Sequence, residues 1–211
     1  MGIVKSIESF DESHKSRVVT RSIRPFLGDE WLFLCLNYLE ICGGLCMSDY
    51  IIRHVEPKDA SGILKIRTQE SVAENTLGLP YQSLKKSEQF LERVLADPTS
   101  YFLVAEQDDQ IVGICSIKVF DNPKMNHAAT LGIMVHEDFH GQGIGNALMT
   151  EILRLSDEWL MLKRIELGVI SDNKRAQKLY EKHGFVIEGI KKYAVKKNGK
   201  FADEIVMGRY R

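Results

Sequence analysis

The sequence predicts an α/β fold in which about seven strands form a central mixed, mostly antiparallel sheet with helices on both faces. An apolar run at 128–135 leads through a glycine-rich turn into a long amphipathic segment, a pattern typical of a strand followed by a helix. Pairs of apolar runs also flank the turn dipeptides Asp108-Asp109 and Asn198-Gly199, and each pair indicates a β-hairpin.

The predicted elements follow one another from residue 50 onward. In chain order they are a strand at 50–55, a helix at 57–69, a loop at 70–81, a helix at 84–96, strands at 101–106, 111–120 and 128–135, a helix at 144–159, a strand at 164–170, a helix at 173–183, and strands at 185–195 and 201–210. Asp97-Pro98 ends the second helix, because proline disfavours the helical conformation in the residue before it.

Helical spacing of apolar residues supports these assignments. The first helix places Ile63, Leu64 and Ile66 inward. The stripe of the 144–159 helix consists of Ile144, Leu148, Ile152, Leu155 and Trp159. We expect this stripe to pack on the sheet.

Composition bounds the class of protein. With 211 residues, 44% of them hydrophobic and 27% charged, the chain can bury the core of one ordinary globular domain. A formal net charge of −1 argues against nucleic acid as a partner, which would call for a basic surplus. The apolar run at 31–42 is shorter than the roughly 18 residues of a membrane span and contains Asn37 and Glu40. We therefore expect no membrane partner and a cytoplasmic protein with reduced thiols.

The first 46 residues differ from the rest and form a predicted N-terminal extension to a domain at 47–211. They contain three of the four cysteines, Cys35, Cys42 and Cys46. The codons of Gly43-Gly44 can spell a purine-rich ribosome-binding site just upstream of Met47. We hypothesise that translation starts at Met47 and that residues 1–46 are a misassigned extension; the alternative is a real amphipathic segment that packs on the domain or on a partner.

The glycine-rich turn reads His140-Gly141-Gln142-Gly143-Ile144-Gly145. Glycines at alternate positions between a strand and a helix let the backbone approach an anion, and the free N–H groups of the first helical turn point toward it. A nucleotide P-loop would need a lysine after its last glycine, and Asn146 stands there instead. A dinucleotide fingerprint would need a glycine at position 146 or 148, and neither residue is one. The turn therefore predicts a pyrophosphate site of another kind.

A second pattern overlaps the first, since His136-Glu137-Asp138-Phe139-His140 matches the H-E-x-x-H motif of zinc proteases. The zinc site of this motif requires both histidines on one face of a helix. Here a strand precedes the motif and glycines follow it, so we expect the histidines to lie on the loop before the phosphate turn, with no metal. A zinc hydrolase remains an alternative that metal analysis would decide.

These residues resemble the GNAT superfamily of acyl-CoA-dependent N-acyltransferases, whose phosphate motif is Gln/Arg-x-x-Gly-x-Gly/Ala. His140 departs from its first position. The run from Asp172 to Phe185, which contains Asn173, Ala176 and Tyr180, is similar to the fourth-helix motif of the family. Softer motifs over 47–211 resemble the bacterial branch that acetylates amino acids and small amines.

The resemblance implies a splayed sheet, with the pantetheine arm of acetyl-CoA in the gap between the strands at 128–135 and 164–170. Backbone groups of the first strand would pair with that arm, and N–H groups of the turn would hold the pyrophosphate. The implied cofactor-binding residues are Ile133, Met134, Val135, His140, Gly141, Gln142, Gly143, Ile144, Gly145, Asn146, Asn173 and Tyr180. Acetyl-CoA is the expected cosubstrate.

The expected reaction is direct attack of a neutral amine on the thioester in a ternary complex. Tyr180 is the predicted general acid for the departing sulfur, and Glu166 is the leading candidate for the base because its strand borders the gap. Other candidates for the base are Glu70, Glu74 and His127, and a chain of waters is a further alternative. Cys115 lies in an apolar run and is expected in the core.

The acceptor is expected to be a small primary amine, in particular an amino acid, held by the 70–86 segment and the 191–200 hairpin. Five lysines in this region, Lys191, Lys192, Lys196, Lys197 and Lys200, favour an acceptor that carries a carboxylate. The alternatives are a protein N-terminus, an antibiotic or a polyamine as acceptor, or a coenzyme A-binding module without turnover. A homodimer is also expected from the resemblance.

Overall fold

The computed structural model describes residues 19–20 and 50–211. Apart from Val19–Thr20, the predicted N-terminal extension therefore lies outside the described residues, together with its three cysteines and the hypothesised start at Met47.

Eight strands and five α-helices make up the described fold. The strands are β1 (Val19–Thr20), β2 (Ile51–His54), β3 (Ser100–Gln107), β4 (Gln110–Val119), β5 (Ala128–Val135), β6 (Arg164–Ile170), β7 (Val186–Lys197) and β8 (Lys200–Tyr210). The helices are α1 (Ala60–Arg67), α2 (Glu70–Ala73), α3 (Leu84–Ala96), α4 (Ile144–Arg154) and α5 (Lys174–Lys182). Short 3₁₀ turns at Pro57–Asp59 and Glu137–Phe139 precede α1 and the glycine turn.

All the strands belong to one sheet with the order β1-β2-β3-β4-β5-β6-β8-β7. Only the pairs β1–β2 and β5–β6 are parallel, and the other neighbours are antiparallel. The predicted mixed, mostly antiparallel sheet is confirmed, with its seven strands as β2 to β8. The two-residue β1 is an addition at one edge that the sequence analysis did not anticipate.

Helices cover both faces of the sheet, as predicted. On one face α4 packs on the sheet through a core that includes Leu148 and Ile152, and Tyr180 of α5 belongs to the same core. On the other face a second core, which includes Ile63, Ile66 and Leu91, joins α1 and α3 to β3 and β4. Within the described residues, no helix combines the length and the apolar character needed to cross a membrane.

The helical segment runs from Ile144 to Trp159 as predicted, but its last turn is not α-helical. α4 ends at Arg154, and a π-helical turn, Leu155–Trp159, follows it. Ser156, four residues after Ile152, is fully buried and donates its hydroxyl to the Ile152 carbonyl at 2.7 Å. The wider turn then advances the inward position by one residue, so that Leu160 packs against the core. Trp159, predicted on the packed stripe, is instead 73% exposed.

The segment at 70–81, predicted as a loop, begins with the single helical turn α2. Gln69 precedes it in an extended conformation, and its side chain contacts the loop after β5 through the backbone N–H of Glu137 at 3.1 Å. The short helix thus lies beside the glycine turn.

The parallel strands β5 and β6 separate after three residue pairs. Ala128, Ala129 and Thr130 pair with Arg164, Ile165 and Glu166. β5 continues to Val135 and β6 to Ile170, and no residues beyond Thr130 and Glu166 are paired between them. A wedge-shaped gap therefore opens in the middle of the sheet.

Candidate active site

The gap between β5 and β6 forms part of a cleft of about 420 Å³, called the main cleft below. It is bounded by the far half of β5, by Gly168 and Val169 of β6, by the start of α4, and by α5. Ser71, Val72, Asn75 and Thr76 contribute a wall on the other side of the sheet. The main cleft therefore reaches from the glycine turn toward the face that carries α1 to α3.

The glycine turn at one end of the main cleft has a backbone that only glycine adopts readily. Gly141 and Gly143 have φ angles of +79° and +83°, and Gly143 is the residue from which α4 starts. A Cβ on Gly141 would meet no atom of residues 50–211 within 4 Å. The first N–H groups of α4 have no partner within the helix and can bind an anion in the main cleft.

Most of the predicted cofactor-binding residues line the main cleft together. They are Ile133, Met134, Val135, His140, Gly141, Gly143, Ile144, Gly145, Asn146, Asn173 and Tyr180. Gln142 does not line it, because its side chain turns away and donates to the Asp138 carbonyl at 3.2 Å. Any contribution from Gln142 is therefore one of its backbone.

Two asparagines in the main cleft have different tasks. Asn173 accepts a hydrogen bond from the backbone N–H of Ala176 at 3.1 Å, which caps the first turn of α5. The side-chain oxygen of Asn146 is buried, and no residue in the described part of the chain donates a hydrogen bond to it. Because an unmet buried acceptor is costly, Asn146 offers a place for a donor group of a bound ligand.

Tyr180 lies where α5 meets the sheet, and it is only 6% exposed. Its ring packs against Phe185 with the centroids 5.9 Å apart. Burial, and to a lesser degree the neighbouring Cys115, raises the pKa of Tyr180 above its ordinary value. The phenol therefore stays protonated at neutral pH and can donate a hydrogen bond into the main cleft.

Cys115 occupies the core, as predicted, and is 1% exposed. Burial raises the pKa of its thiol far above the ordinary value. A thiol held in this protonated form is a poor nucleophile, so Cys115 contributes packing.

The H-E-x-x-H segment does not form a helix with both histidines on one face. His136 and His140 flank the 3₁₀ turn, and neither has a helical backbone conformation, with ψ angles of 136° and 147°. Nε2 of His136 contacts the side-chain amide of Gln69 at 2.9 Å, and Nε2 of His140 lies 2.9 Å from the Val135 carbonyl. Among the described residues, no group of three or more His, Cys, Asp and Glu side chains is arranged to hold a metal ion.

Three basic residues of α5 that were not predicted as site residues also line the main cleft. They are Arg175, Lys178 and Lys182. Their spacing of three and four residues places them on one helical face, and that periodicity was the available signal. Positive charge along this wall suits an anionic ligand.

Glu166 lies on the opposite face of the sheet from Tyr180, because β6 alternates and Ile165, Leu167 and Val169 fill the core on the side of α4. Its carboxylate accepts from Arg164 at 3.0 and 3.2 Å, and the same guanidinium binds Glu188 at 2.6 Å. Glu166 lines a separate, smaller hollow rather than the main cleft.

The two segments expected to hold the acceptor do meet in space. Asn198, in the β7–β8 turn, donates to the Glu74 carboxylate at 2.7 Å. Lys197 contacts Asn75 at 3.3 Å and pairs with Asp172 at 2.9 Å. These contacts join the β7–β8 hairpin to the wall after α2.

Comparison with known proteins agrees with this geometry. Residues 67–185, more than half of the chain, match the profile of the Acetyltransferase (GNAT) family. The L-amino acid N-acetyltransferase AaaT of Escherichia coli (strain K12) is 40% identical over 164 residues, which cover 77% of this chain and 99% of AaaT. The chain belongs to the GNAT acetyltransferase family. It is accordingly an acyl-CoA-dependent N-acetyltransferase, as the sequence predicted.

Solved structures of the family have the same fold. A GNAT acetyltransferase from Streptococcus pneumoniae superposes with a TM-score of 0.68 at 28% identity, covering 77% of this chain and 100% of that one. The spermidine N-acetyltransferase of Vibrio cholerae, solved in complex with CoA and spermine, gives a TM-score of 0.69 at 24% identity, covering 77% of this chain and 96% of that one. This second likeness concerns the fold alone.

Proposed function

We propose that the protein transfers the acetyl group of acetyl-CoA to the primary amine of an amino acid. The observation that carries the proposal is the main cleft, which joins the glycine-rich start of α4 to the buried phenol of Tyr180 across a gap in the sheet. The identity with AaaT, which extends over nearly the whole of that relative, supports an amino acid as the acceptor.

In this proposal the pyrophosphate of acetyl-CoA binds the backbone N–H groups between Gln142 and Asn146. The pantetheine arm lies along β5, where Ile133, Met134 and Val135 have no partner on the side of β6. Amide groups of the arm then continue the sheet as an added strand would. Asn173 and the basic residues of α5 that line the main cleft, Arg175, Lys178 and Lys182, complete the coenzyme site.

The chemical step is attack of the neutral amine on the thioester carbonyl. A tetrahedral oxyanion forms, a backbone N–H of β5 stabilises it, and the C–S bond then breaks. Proton transfer from a phenol with a pKa near 10 to a thiolate with a pKa near 8.5 is uphill by about 2 kcal/mol, and the burial of Tyr180 increases this difference. Tyr180 therefore acts first as a hydrogen-bond donor to the sulfur as its negative charge develops.

The identity of the base follows less directly from the geometry. Glu166 stays a prediction, but its carboxylate already accepts hydrogen bonds from Arg164 and lines a separate hollow rather than the main cleft. An amine whose pKa lies moderately above neutrality is partly deprotonated already, so transfer to water meets the requirement of the reaction.

The deciding experiment measures thiol release from acetyl-CoA across amino acids, polyamines and aminoglycosides, with product masses to identify the acetylated amine. Turnover with amino acids supports the proposal, and turnover confined to polyamines or aminoglycosides contradicts the acceptor class. Coenzyme binding without thiol release with any amine would instead indicate a binding module.

We also propose that residues 47–211 form the catalytic domain and that the enzyme is a homodimer. Acetyltransferase activity of the 47–211 segment tests the first proposal, and light scattering tests the second.

A further inference from the structure

A small hollow of about 190 Å³ adjoins the main cleft on the face of the sheet opposite Tyr180. Its polar lining comes from Thr130, Glu166, Lys191 and Glu204, and Gly168 lines both the small hollow and the main cleft. Thr130 and Glu166 form the last residue pair between β5 and β6 before the strands separate. The small hollow thus lies at the closed end of the gap.

Glu204 approaches this shared boundary closely because Gly168 has no side chain. A Cβ on Gly168 would collide with Oε1 of Glu204 and would come within 2.7 Å of its carboxyl carbon. The Glu204 carboxylate is 20% exposed and so has one oxygen against the β6 backbone. It is the carboxylate of the small hollow that lies directly over the residue shared with the main cleft.

The charges of the small hollow are arranged as an exchangeable pair. Nζ of Lys191 lies 2.9 Å from Oε2 of Glu204, and the lysine side chain is 63% exposed. Glu166, in contrast, is held by Arg164. An exposed ammonium group therefore pairs with a carboxylate that lies against Gly168, while the carboxylate of Glu166 is paired with Arg164.

We propose that the small hollow is the acceptor subsite and that it takes a zwitterionic α-amino acid. The amino-acid ammonium displaces Lys191 from Glu204, and Lys191 turns to pair with the amino-acid carboxylate. The exchange keeps the charge of the small hollow unchanged, whereas a polyamine would add positive charge and leave Lys191 without a partner. This inference rests on the proposed function and names the residues that select its substrate.

The position of the small hollow also suits the reaction. An amine at Glu204 lies beside Gly168, across the gap from the wall that carries Tyr180. The ammonium loses one proton to solvent, its nitrogen forms the new bond to the carbonyl carbon, and the C–S bond breaks. The nitrogen loses its second proton, which passes to the thiolate, so that one amide, one free thiol and one net proton result.

The test compares Lys191→Met with Lys58→Met, using the preferred amino acid and its α-amide as acceptors. Lys58 is the matched control, because it is 66% exposed, pairs with Glu56 at 2.9 Å, and lines neither the small hollow nor the main cleft. We expect Lys191→Met to raise KM for the amino acid at least tenfold and to leave KM for the amide within twofold. Lys58→Met should change neither. Equal effects of the two variants, or a loss with the amide as large as with the amino acid, would overturn the proposal.

Glu204→Gln provides the second arm, and it should raise KM for both acceptors while the Kd of acetyl-CoA by calorimetry stays unchanged. Thermal unfolding checks that the variant folds, and Lys191→Met decides the question if it does not. If the wild type acetylates amino acids and Lys191→Met has the same KM values as the wild type, the proposed subsite is wrong while the proposed function stands. Absence of wild-type thiol release with every amine removes the proposed function, and the subsite with it.

Discussion

Nη2 of Arg175 lies 3.3 Å from Nε2 of His140, so that α5 and the glycine turn meet at the main cleft. Burial lowers the pKa of His140, and the charge of Arg175 lowers it further. The ring is therefore neutral and carries one proton. That proton lies on Nε2, because the Val135 carbonyl 2.9 Å away can only accept a hydrogen bond. With that tautomer His140 cannot accept from Arg175, and the guanidinium remains available to an anion.

Arg175→Ala should weaken acetyl-CoA binding about fivefold, because it removes a charge-assisted contact to phosphate. Calorimetry at two salt concentrations measures the effect, which should shrink at the higher one. Lys174→Ala is the control, since Lys174 neighbours Arg175 but does not line the main cleft. Equal losses in both variants would show that only the overall charge matters.

Tyr180→Phe should lower turnover about 100-fold and leave the Kd of acetyl-CoA within about twofold, because the hydroxyl acts on the departing sulfur. Steady-state kinetics and calorimetry separate the two quantities. Tyr50→Phe is the matched control, as Tyr50 is buried in the same core and does not line the main cleft. Unchanged turnover in Tyr180→Phe would remove this residue from the mechanism.

Gly143→Ala should reduce the free energy of unfolding by about 1 to 2 kcal/mol, because a side chain is strained at its φ of +83°. Gly145→Ala should cost nothing, since its Cβ would lie 3.5 Å from Leu179, an ordinary contact. The family motif allows glycine or alanine at the position of Gly145, which the ordinary distance to Leu179 explains. Urea unfolding of both variants measures the difference, and equal destabilisation would contradict the assignment of strain.

Asp59→Asn should destabilise the fold by about 2 to 3 kcal/mol at pH 7, because Asp59 is 3% exposed and binds Arg53 twice at 2.8 Å. Burial alone would raise the pKa of Asp59, but hydrogen bonds from Arg53 and the Glu56 N–H hold it below the ordinary value. The wild-type advantage is therefore complete above the unfolded pKa near 3.9 and is lost as pH falls through the folded pKa.

Urea unfolding of wild type and Asp59→Asn at pH 7, 4 and 3 tests this pH dependence. The difference between the two proteins should narrow at pH 3. Glu158→Gln serves as the control, because its exposed carboxylate lies 3.8 Å from Arg154 and should contribute less than about 0.5 kcal/mol. A difference that stays constant down to pH 3 would contradict the lowered pKa.

The strands and the glycine turn were predictable because local patterns determine them. β5 begins and ends at the predicted residues 128 and 135, and α3 at 84 and 96, since apolar periodicity and a proline mark their limits. The π-helical turn after Arg154 was not, because the apolar stripe continues through it. A one-residue shift in hydrogen bonding has no signature in such a stripe.

The site was predictable in its backbone parts and less so in its side-chain partners. The glycine turn and Tyr180 lie in motifs with fixed spacing, and both line the main cleft. The proposed role of Glu204 was not predicted, because its position depends on the absent side chain of Gly168, a residue on another strand. The pairing of Glu166 with Arg164 likewise depends on which face of β6 is covered.

The three residue pairs that join β5 to β6 form a short seam between two half-sheets. An acyl donor that places its amides where the seam stops extends the hydrogen-bonded ladder across the molecule. Binding of the acyl donor then also stabilises the sheet. Amide hydrogens near the end of β5 should therefore exchange more slowly in the enzyme with bound donor than in the free enzyme.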